Sequence, residues 1–402
     1  MTAAPPQPAS ARPRTPAGVV LLVTDIDAPS GGIQKNSRLL LKHLNSRGVA
    51  TYACVRNYHG LPARETVDGT VYRRFPVLGS GLAINGLLYF LATFWWLIAN
   101  RRKYDVIHCQ QMFGPTMAAA AATFFVSKPV LTRVTAIGEL GEVKQIREIP
   151  LSRLRLRLIA RVSRWAALTK EMKRELVTLG IDPDSIAIIH NSTEIPPEPG
   201  YRSSTKAGLK RSLGLGGRKV ATFVGRLSEE KNLGLLIEAW RDVLGKFPDA
   251  RLLILGAGGA YRNVESGLRR LVAELGLAPS VRFLGHVERP RDYVMASDVF
   301  VLPSRTEGMS NALVEALACG AAIVATDIPG NSELCTDGEN ALLVPVGDRA
   351  ATAAAISEIF GSPALARKLG TAARRKAEEA LSVDHMVSAY FEAYQEMLKP
   401  SS

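Results

Sequence analysis

Cysteine is scarce. The 402-residue chain has only Cys54, Cys109, Cys319 and Cys335, and no two form a C-x-x-C pair. A disulfide scaffold is excluded, a zinc ribbon or redox motif is disfavoured, and reduced thiols are the expected state. The six histidines are scattered without H-E-x-x-H or similar spacing, so no metal or other cofactor is expected. No charge-free run stays apolar for ~18 residues without glycine or proline breaks, which removes a polytopic membrane protein. The first apolar run, 18–24, is too short for the core of a secretory signal, so the chain is expected to stay in the cytoplasm. Acidic residues are also in deficit, 37 against 50 basic ones, for a net charge of +13. What remains is globular composition, 47% hydrophobic and 22% charged, which excludes whole-chain disorder, collagen and a coiled coil.

Strands and helices alternate. Short β-branched runs at 19–24, 50–55, 71–75, 105–109, 130–135, 166–169 and 186–190 read as strands. So do 220–224, 251–255, 281–284, 299–302, 322–325 and 341–344, with helical patterns between most of them. This alternation implies parallel sheets covered by helices on both faces. Residues 1–17, rich in Pro, Ala and Arg, read as a disordered tail. Pro196, Pro197 and Pro199, followed by Gly, Ser and Lys, mark 196–218 as a linker. The expected architecture is α/β: two doubly wound, Rossmann-like domains at 18–195 and 219–380, facing a cleft. A C-terminal helix within 381–402 is expected to pack back on the first domain. Ligands of such sheets bind at the carboxyl ends of the strands.

Three post-strand loops carry candidate chemistry. Pro303-Ser304-Arg305-Thr306-Glu307-Gly308-Met309-Ser310-Asn311 leads into a helix capped by Ser310 or Asn311. Its unpaired N–H groups suit a phosphate. Glu307 and Glu315, eight residues apart, flank that terminus, and a carboxylate can accept both hydrogens of a vicinal diol. In Gly225-Arg226-Leu227-Ser228-Glu229-Glu230-Lys231, Arg226 and Lys231 supply cations for a diphosphate, in a role a magnesium ion would otherwise fill. In Ala28-Pro29-Ser30-Gly31-Gly32-Ile33-Gln34, the paired glycines let a substrate approach the backbone. Each motif alone also has an ordinary structural reading as a solvated loop. Gly256-Ala257-Gly258 imitates a dinucleotide fingerprint, but Tyr261 stands where its third glycine belongs.

Taken together and in this order, these residues resemble the retaining glycosyltransferases of family 4, which have the GT-B fold; the resemblance runs from about residue 18 to 395. Glu307 and Glu315 match the family's E-x7-E motif, Gly225-Arg226 with Lys231 its phosphate-binding G-R…K, and Gly31-Gly32 its N-terminal loop. The resemblance implies transfer of a sugar, with retained anomeric configuration, from a nucleotide diphosphate donor (UDP by default) to a hydroxyl of a glycan, lipid-linked or polysaccharide-precursor acceptor. It assigns Arg226, Lys231 and the helix tip Gly308-Met309-Ser310-Asn311 to the diphosphate, Glu315 to the ribose and Glu307 to the donor sugar. Three features depart from the family. Gln34 follows Gly31-Gly32 where a carboxylate is often found. Val134 stands where many members carry the histidine of T-x-H, leaving Glu139 and His108 as first-domain candidates for the sugar contact. Asn191-Ser192-Thr193-Glu194 replaces the usual N-G-x-D. Asp25-Ile26-Asp27 and Asp182-Pro183-Asp184 match a metal-binding D-x-D string but not its context.

The basic excess is local. Residues 147–174 hold nine basic and two acidic side chains, +7 of the total +13. A helix over 151–165 would align Arg153, Arg157, Arg161 and Arg164 beside Leu151, Leu154, Leu158, Val162 and Trp165. Residues 86–99 are almost wholly apolar but, at ~1.5 Å per residue, too short to span a bilayer. Both segments point to an anionic membrane surface as a partner, with the protein peripheral on the inner face of the plasma membrane. Two other classes fit less of the chain. One is a nicotinamide-dependent oxidoreductase, suggested by the broken fingerprint. The other is a basic polyanion-binding protein; its nucleic-acid form is disfavoured because the cluster lacks interleaved aromatics.

Overall fold

The computed structural model of the protein describes residues 16–23, 25–27, 31–79, 82–136, 141–148, 151–200, 203–259 and 263–399. Most of the expected tail, together with Ala28, Pro29, Ser30, Glu139 and Tyr261, lies outside the described residues. Runs rich in Val, Ile and Leu form the strands, because branched side chains pack well on a pleated surface. In the first half these are β1 (Gly18–Leu22), β2 (Ala50–Asn57), β3 (Arg64–Val67), β4 (Thr70–Pro76), β5 (Val106–Cys109), β6 (Val130–Arg133), β7 (Arg164–Ala167) and β8 (Ile186–Ile188). In the second half they are β9 (Val220–Val224), β10 (Arg251–Leu255), β11 (Val281–Gly285), β12 (Val299–Leu302), β13 (Ile323–Thr326) and β14 (Leu342–Val344).

The helices are α1 (Gly32–Ser46), α2 (Leu82–Ala99), α3 (Gly114–Ala122), α4 (Glu142–Glu148), α5 (Ser152–Ile159), α6 (Lys170–Val177), α7 (Ser203–Ser212) and α8 (Leu233–Lys246). They continue with α9 (Glu265–Glu274), α10 (Pro290–Ala296), α11 (Asn311–Ala318), α12 (Pro329–Ser332), α13 (Arg349–Gly361), α14 (Pro363–Ala380) and α15 (Val383–Met397).

The first sheet runs β3-β4-β2-β1-β5-β6-β7-β8 and is parallel except for the β3–β4 hairpin. The second runs β11-β10-β9-β12-β13-β14 and is wholly parallel. Strands β1, β5, β6, β12 and β13 are buried along their full length, as helices on both faces require. Each sheet reverses its winding once, between β1 and β5 and between β9 and β12. Crevices at the carboxyl ends of strands form at such points.

Four features differ from the sequence reading or add to it. Strand β3 was not foreseen: all four of its residues are exposed, so no alternation marks it. The basic helix over 151–165 is corrected to α5, Ser152–Ile159. The chain then turns, and Arg164–Ala167 enters the sheet as β7 between β6 and β8. Trp165 is buried by the sheet, not by a helix face. The segment read as a linker contains α7, whose Lys210 and Lys206 reach Asp298 at 2.7 and 3.6 Å and fasten it to the second half. At the C-terminus, α15 lays Val383, Met386, Val387, Tyr390 and Tyr394 against Val19, Val106, Leu131 and Ala166 of the first sheet. All four cysteines are free and buried, and burial pushes the Cys109, Cys319 and Cys335 thiols up to about 12.

Candidate active site

The crevice is built first from the second sheet. Because β9 and β12 are neighbours, the loops that leave their carboxyl ends meet. Lys231 Nζ donates to Glu307 Oε1 at 2.6 Å, and Ser304 Oγ donates to the same oxygen at 2.8 Å. Both charged side chains are largely enclosed, Lys231 13% and Glu307 10% exposed. Arg305 N donates to Glu230 O at 2.8 Å and ties the two loops together. Arg226 leaves the same loop beside Gly225, but its side chain is 65% exposed and leans on Glu230 at 3.3 Å. The geometry therefore joins Lys231 to Glu307 and leaves Arg226 at the rim.

Helix α11 starts behind this pair. Ser310 is its N-cap, accepting from Leu313 N at 3.4 Å, and no acidic residue occupies the first turn. The terminus thus presents N–H groups and the positive end of the dipole. Glu315, one turn further on, carries Lys35 of α1 on its Oε1 at 2.5 Å.

The first sheet brings a second helix tip to the same place. Gly31 caps α1 with φ 137°, a backbone state that favours glycine, and the first turn of α1 also lacks acidic residues. A Cβ on Gly32 would lie 1.9 Å from Asn311 Nδ2, so any larger residue there would displace the Asn311 side chain between the two helix tips. Asn36 Nδ2 donates to Asn311 Oδ1 at 2.8 Å, and Asn36 Oδ1 accepts from Ser192 N at 2.9 Å. Asn191 Nδ2 donates to Met309 O at 3.2 Å. At Gly308 a Cβ would meet Thr135 O at 2.6 Å, so the tip of the β12 loop sits on the end of β6. The result is two helix N-termini, two lysines and two carboxylates at the junction of the sheets. This arrangement can hold a dianion between the tips and hydroxyl-bearing groups at the carboxylates.

Not every predicted residue reaches the junction. His108 is a correction: it is fully buried under α15, its Nδ1 2.7 Å from Tyr394 Oη and its ring 4.8 Å from that of Tyr390. Burial, then the Arg133 charge, holds its pKa down at about 3, so the ring stays neutral and has no access to a sugar. Glu139 lies outside the described residues. Its near neighbour Glu142 instead braces the loop, accepting from Met112 N at 2.7 Å and Thr135 N at 3.0 Å. Burial raises its pKa against those hydrogen bonds. Of the two D-x-D strings, Asp27 is gripped twice by Arg74, at 2.7 and 2.9 Å, and Asp182 caps a single helical turn. Gly256 packs so closely on Gly225 O that a Cβ would stand 1.9 Å away, so this turn shapes the Arg226 loop.

Sequence reasoning missed Lys35, Asn36, Arg133 and Asn191 as a group. Arg133 is 2% exposed; it donates to Gln110 Oε1 at 2.8 Å and to Asn191 Oδ1, and so links β5 and β6 to the residue that holds Met309. Arg133 and Asn191 were visible only as the residues next to the departures at Val134 and Ser192, and Lys35 and Asn36 only as ordinary positions of an amphipathic helix.

Known proteins point the same way. Residues 30–195 match the family described as Glycosyltransferase Family 4, and residues 218–362 match Glycosyl transferases group 1. The D-inositol 3-phosphate glycosyltransferases of Nocardia farcinica and Geodermatophilus obscurus are 30% and 31% identical over 75% and 76% of this chain. The matched region spans 64% and 65% of those relatives' own length, short of two thirds. Among solved structures, Anabaena Alr3699/HepE in complex with UDP has a TM-score of 0.75 at 19% identity, covering 94% of this chain and 99% of that one. Sucrose-phosphate synthase from Thermosynechococcus elongatus has a TM-score of 0.80 at 20% identity, covering 94% and 98%. At such identities the likeness carries the fold.

Proposed function

Because the chain belongs to the family-4, group 1 glycosyltransferases and has their GT-B fold, we propose that it moves a sugar from a nucleotide diphosphate donor to an acceptor hydroxyl with retained configuration. The observation that carries this reading is the junction itself: Lys231 on Glu307 at 2.6 Å, with the tips of α1 and α11 beside them. In this reading the diphosphate lies between the two tips, Lys231 and Arg226 offset the charge that develops on it, Glu315 takes the ribose diol and Glu307 the donor sugar. The leaving phosphate accepts the acceptor proton on the face it departs from, so no histidine base is needed where Val134 stands. The transition state has oxocarbenium character, as at other glycosidic centres. Lysine and helix-tip charge do the work of a metal, so activity is expected to survive EDTA. UDP is the default nucleotide, supported by the HepE complex of like fold. Incubation with a panel of UDP-, GDP- and ADP-sugars should give slow hydrolysis of one donor, its first product having the donor's anomeric configuration by NMR. Hydrolysis of none, or an inverted product, overturns the proposal.

The acceptor is proposed to be a glycan or lipid-linked precursor at an anionic membrane surface. No helix among the described residues is long and apolar enough to cross a membrane. Helix α2, however, buries Tyr89, Thr93 and Leu97 and exposes Ile84, Leu87, Leu91 and Trp95, the last 63% exposed. Phe125 joins this stripe through Phe94, with ring centroids 5.7 Å apart, and Phe124 lies under the Arg161 guanidinium at 4.2 Å. An apolar stripe bordered by exposed arginines fits a bilayer rich in anionic lipid. Vesicles of anionic lipid should carry the protein upward on flotation, and Trp95→Ser with Leu91→Ser should abolish this. Equal flotation of the variant removes the assignment.

A further inference from the structure

Lys35 has no role in the reading above, yet it is the one first-half cation that an ion pair of the described residues sets on Glu315. It sits in the first turn of α1, where the dipole disfavours a cation unless an anion is near. Here that anion is Glu315, the carboxylate assigned to the ribose. Asn36 fixes the backbone of this turn through Asn311 and Ser192, so the Lys35 Cα is held while its four-carbon stem can swing. The pair is part exposed, 34% and 16%, and such pairs exchange readily. A donor would bring two competing groups at once: a diol for Glu315 and a diphosphate for the helix tips, between which Lys35 stands.

We propose that Lys35 is a third cation of the diphosphate site, which passes from Glu315 to the donor phosphate as the ribose takes over the carboxylate. This rests on the donor reading given above. The exchange couples the two ends of the nucleotide: ribose binding at Glu315 releases the ammonium that the phosphate needs. It also makes Lys35 selective for the phosphate, since toward a bare nucleoside it acts only as a competitor for Glu315.

The test is the ratio of dissociation constants for uridine and UDP, measured by calorimetry on the full chain, with GDP and guanosine and ADP and adenosine as parallel pairs. The ratio is insensitive to the fraction of protein that is folded. Lys35→Met is expected to weaken UDP about tenfold and leave uridine unchanged or slightly tighter, so the ratio falls by about ten. Lys35→Arg should restore most of it. Glu315→Gln should weaken uridine while keeping the ratio. An unchanged ratio in Lys35→Met, with wild type binding a nucleoside diphosphate normally, overturns the role of Lys35 alone. Failure of the wild type to bind any of the three diphosphates sinks the donor reading and this inference together.

Discussion

Lys231 and Glu307 are 76 residues apart in sequence and 2.6 Å apart in space, each about nine-tenths enclosed. Breaking such a pair leaves one charge unmatched, so Lys231→Met and Glu307→Gln should both cost stability. Their effect on turnover should be larger and unequal. In the proposed reading Lys231 offsets charge on the leaving group, so its loss is expected to lower kcat by about 10²–10³. Steady-state kinetics beside thermal melting would check this, and a kcat that tracks the melting loss would contradict it. His108 supports a prediction of another kind. Its pKa is depressed from 6.5 to about 3 by burial, then by the Arg133 charge. Below pH 6.5 the unfolded chain takes up a proton that the folded chain refuses until about pH 3. Stability is therefore complete above 6.5 and falls with acidification at up to ~1.4 kcal/mol per pH unit. Urea denaturation at pH 7.5 and 4.5 should show a smaller acid loss in His108→Gln than in wild type.

Among the elements, α15 packs across the first sheet against β1, β5, β6 and β7. Tyr394 is fully buried, stacks with Tyr390 at 6.2 Å and bonds His108. Tyr394→Ala should cost ~3–5 kcal/mol by opening a cavity. Tyr394→Phe should cost ~1–3 kcal/mol, because it leaves a buried ring nitrogen unmatched. Chemical denaturation separates the two, and a Tyr394→Phe cost near zero would mean that the hydroxyl contributes nothing. Helices α1 and α11 were legible from their glycine and serine starts, and the core strands of both sheets from their apolar runs. Strand β3 was not, since exposed Arg64–Val67 has no alternation, although Asp68-Gly69 after it, with φ of 48° and 79°, is a hairpin signal. The 151–165 stretch misled because Leu158, Val162 and Trp165 fit a helical stripe, while sheet pairing claimed Trp165 for β7.

On the scale of the whole molecule, the proposed membrane attachment rests on two forces of different range, the +13 charge and the apolar stripe of α2. Raising salt from about 0.05 to about 0.5 M shortens screening from over ~10 Å to under ~5 Å. Vesicle binding should then weaken severalfold without vanishing, leaving the part due to Trp95 and its neighbours. Salt-independent flotation would show that the arginines take no part.

The core strands, the loops after β9 and β12 and the motif residues Glu307, Glu315, Lys231 and Gly31-Gly32 were legible in the sequence alone, because local pattern and short motifs specify them. Tertiary structure alone decided which side chains meet: that Lys35 reaches Glu315, that Arg133 and Asn191 brace Met309, that Arg226 stands at the rim, and that His108 serves α15 instead of a substrate. The physical reason is that, Arg226 with its neighbour Glu230 aside, the contacts of Lys35, Arg133 and His108 join residues 58 to 286 positions apart. They exist only once two sheets have reversed their winding and set their strand ends against each other.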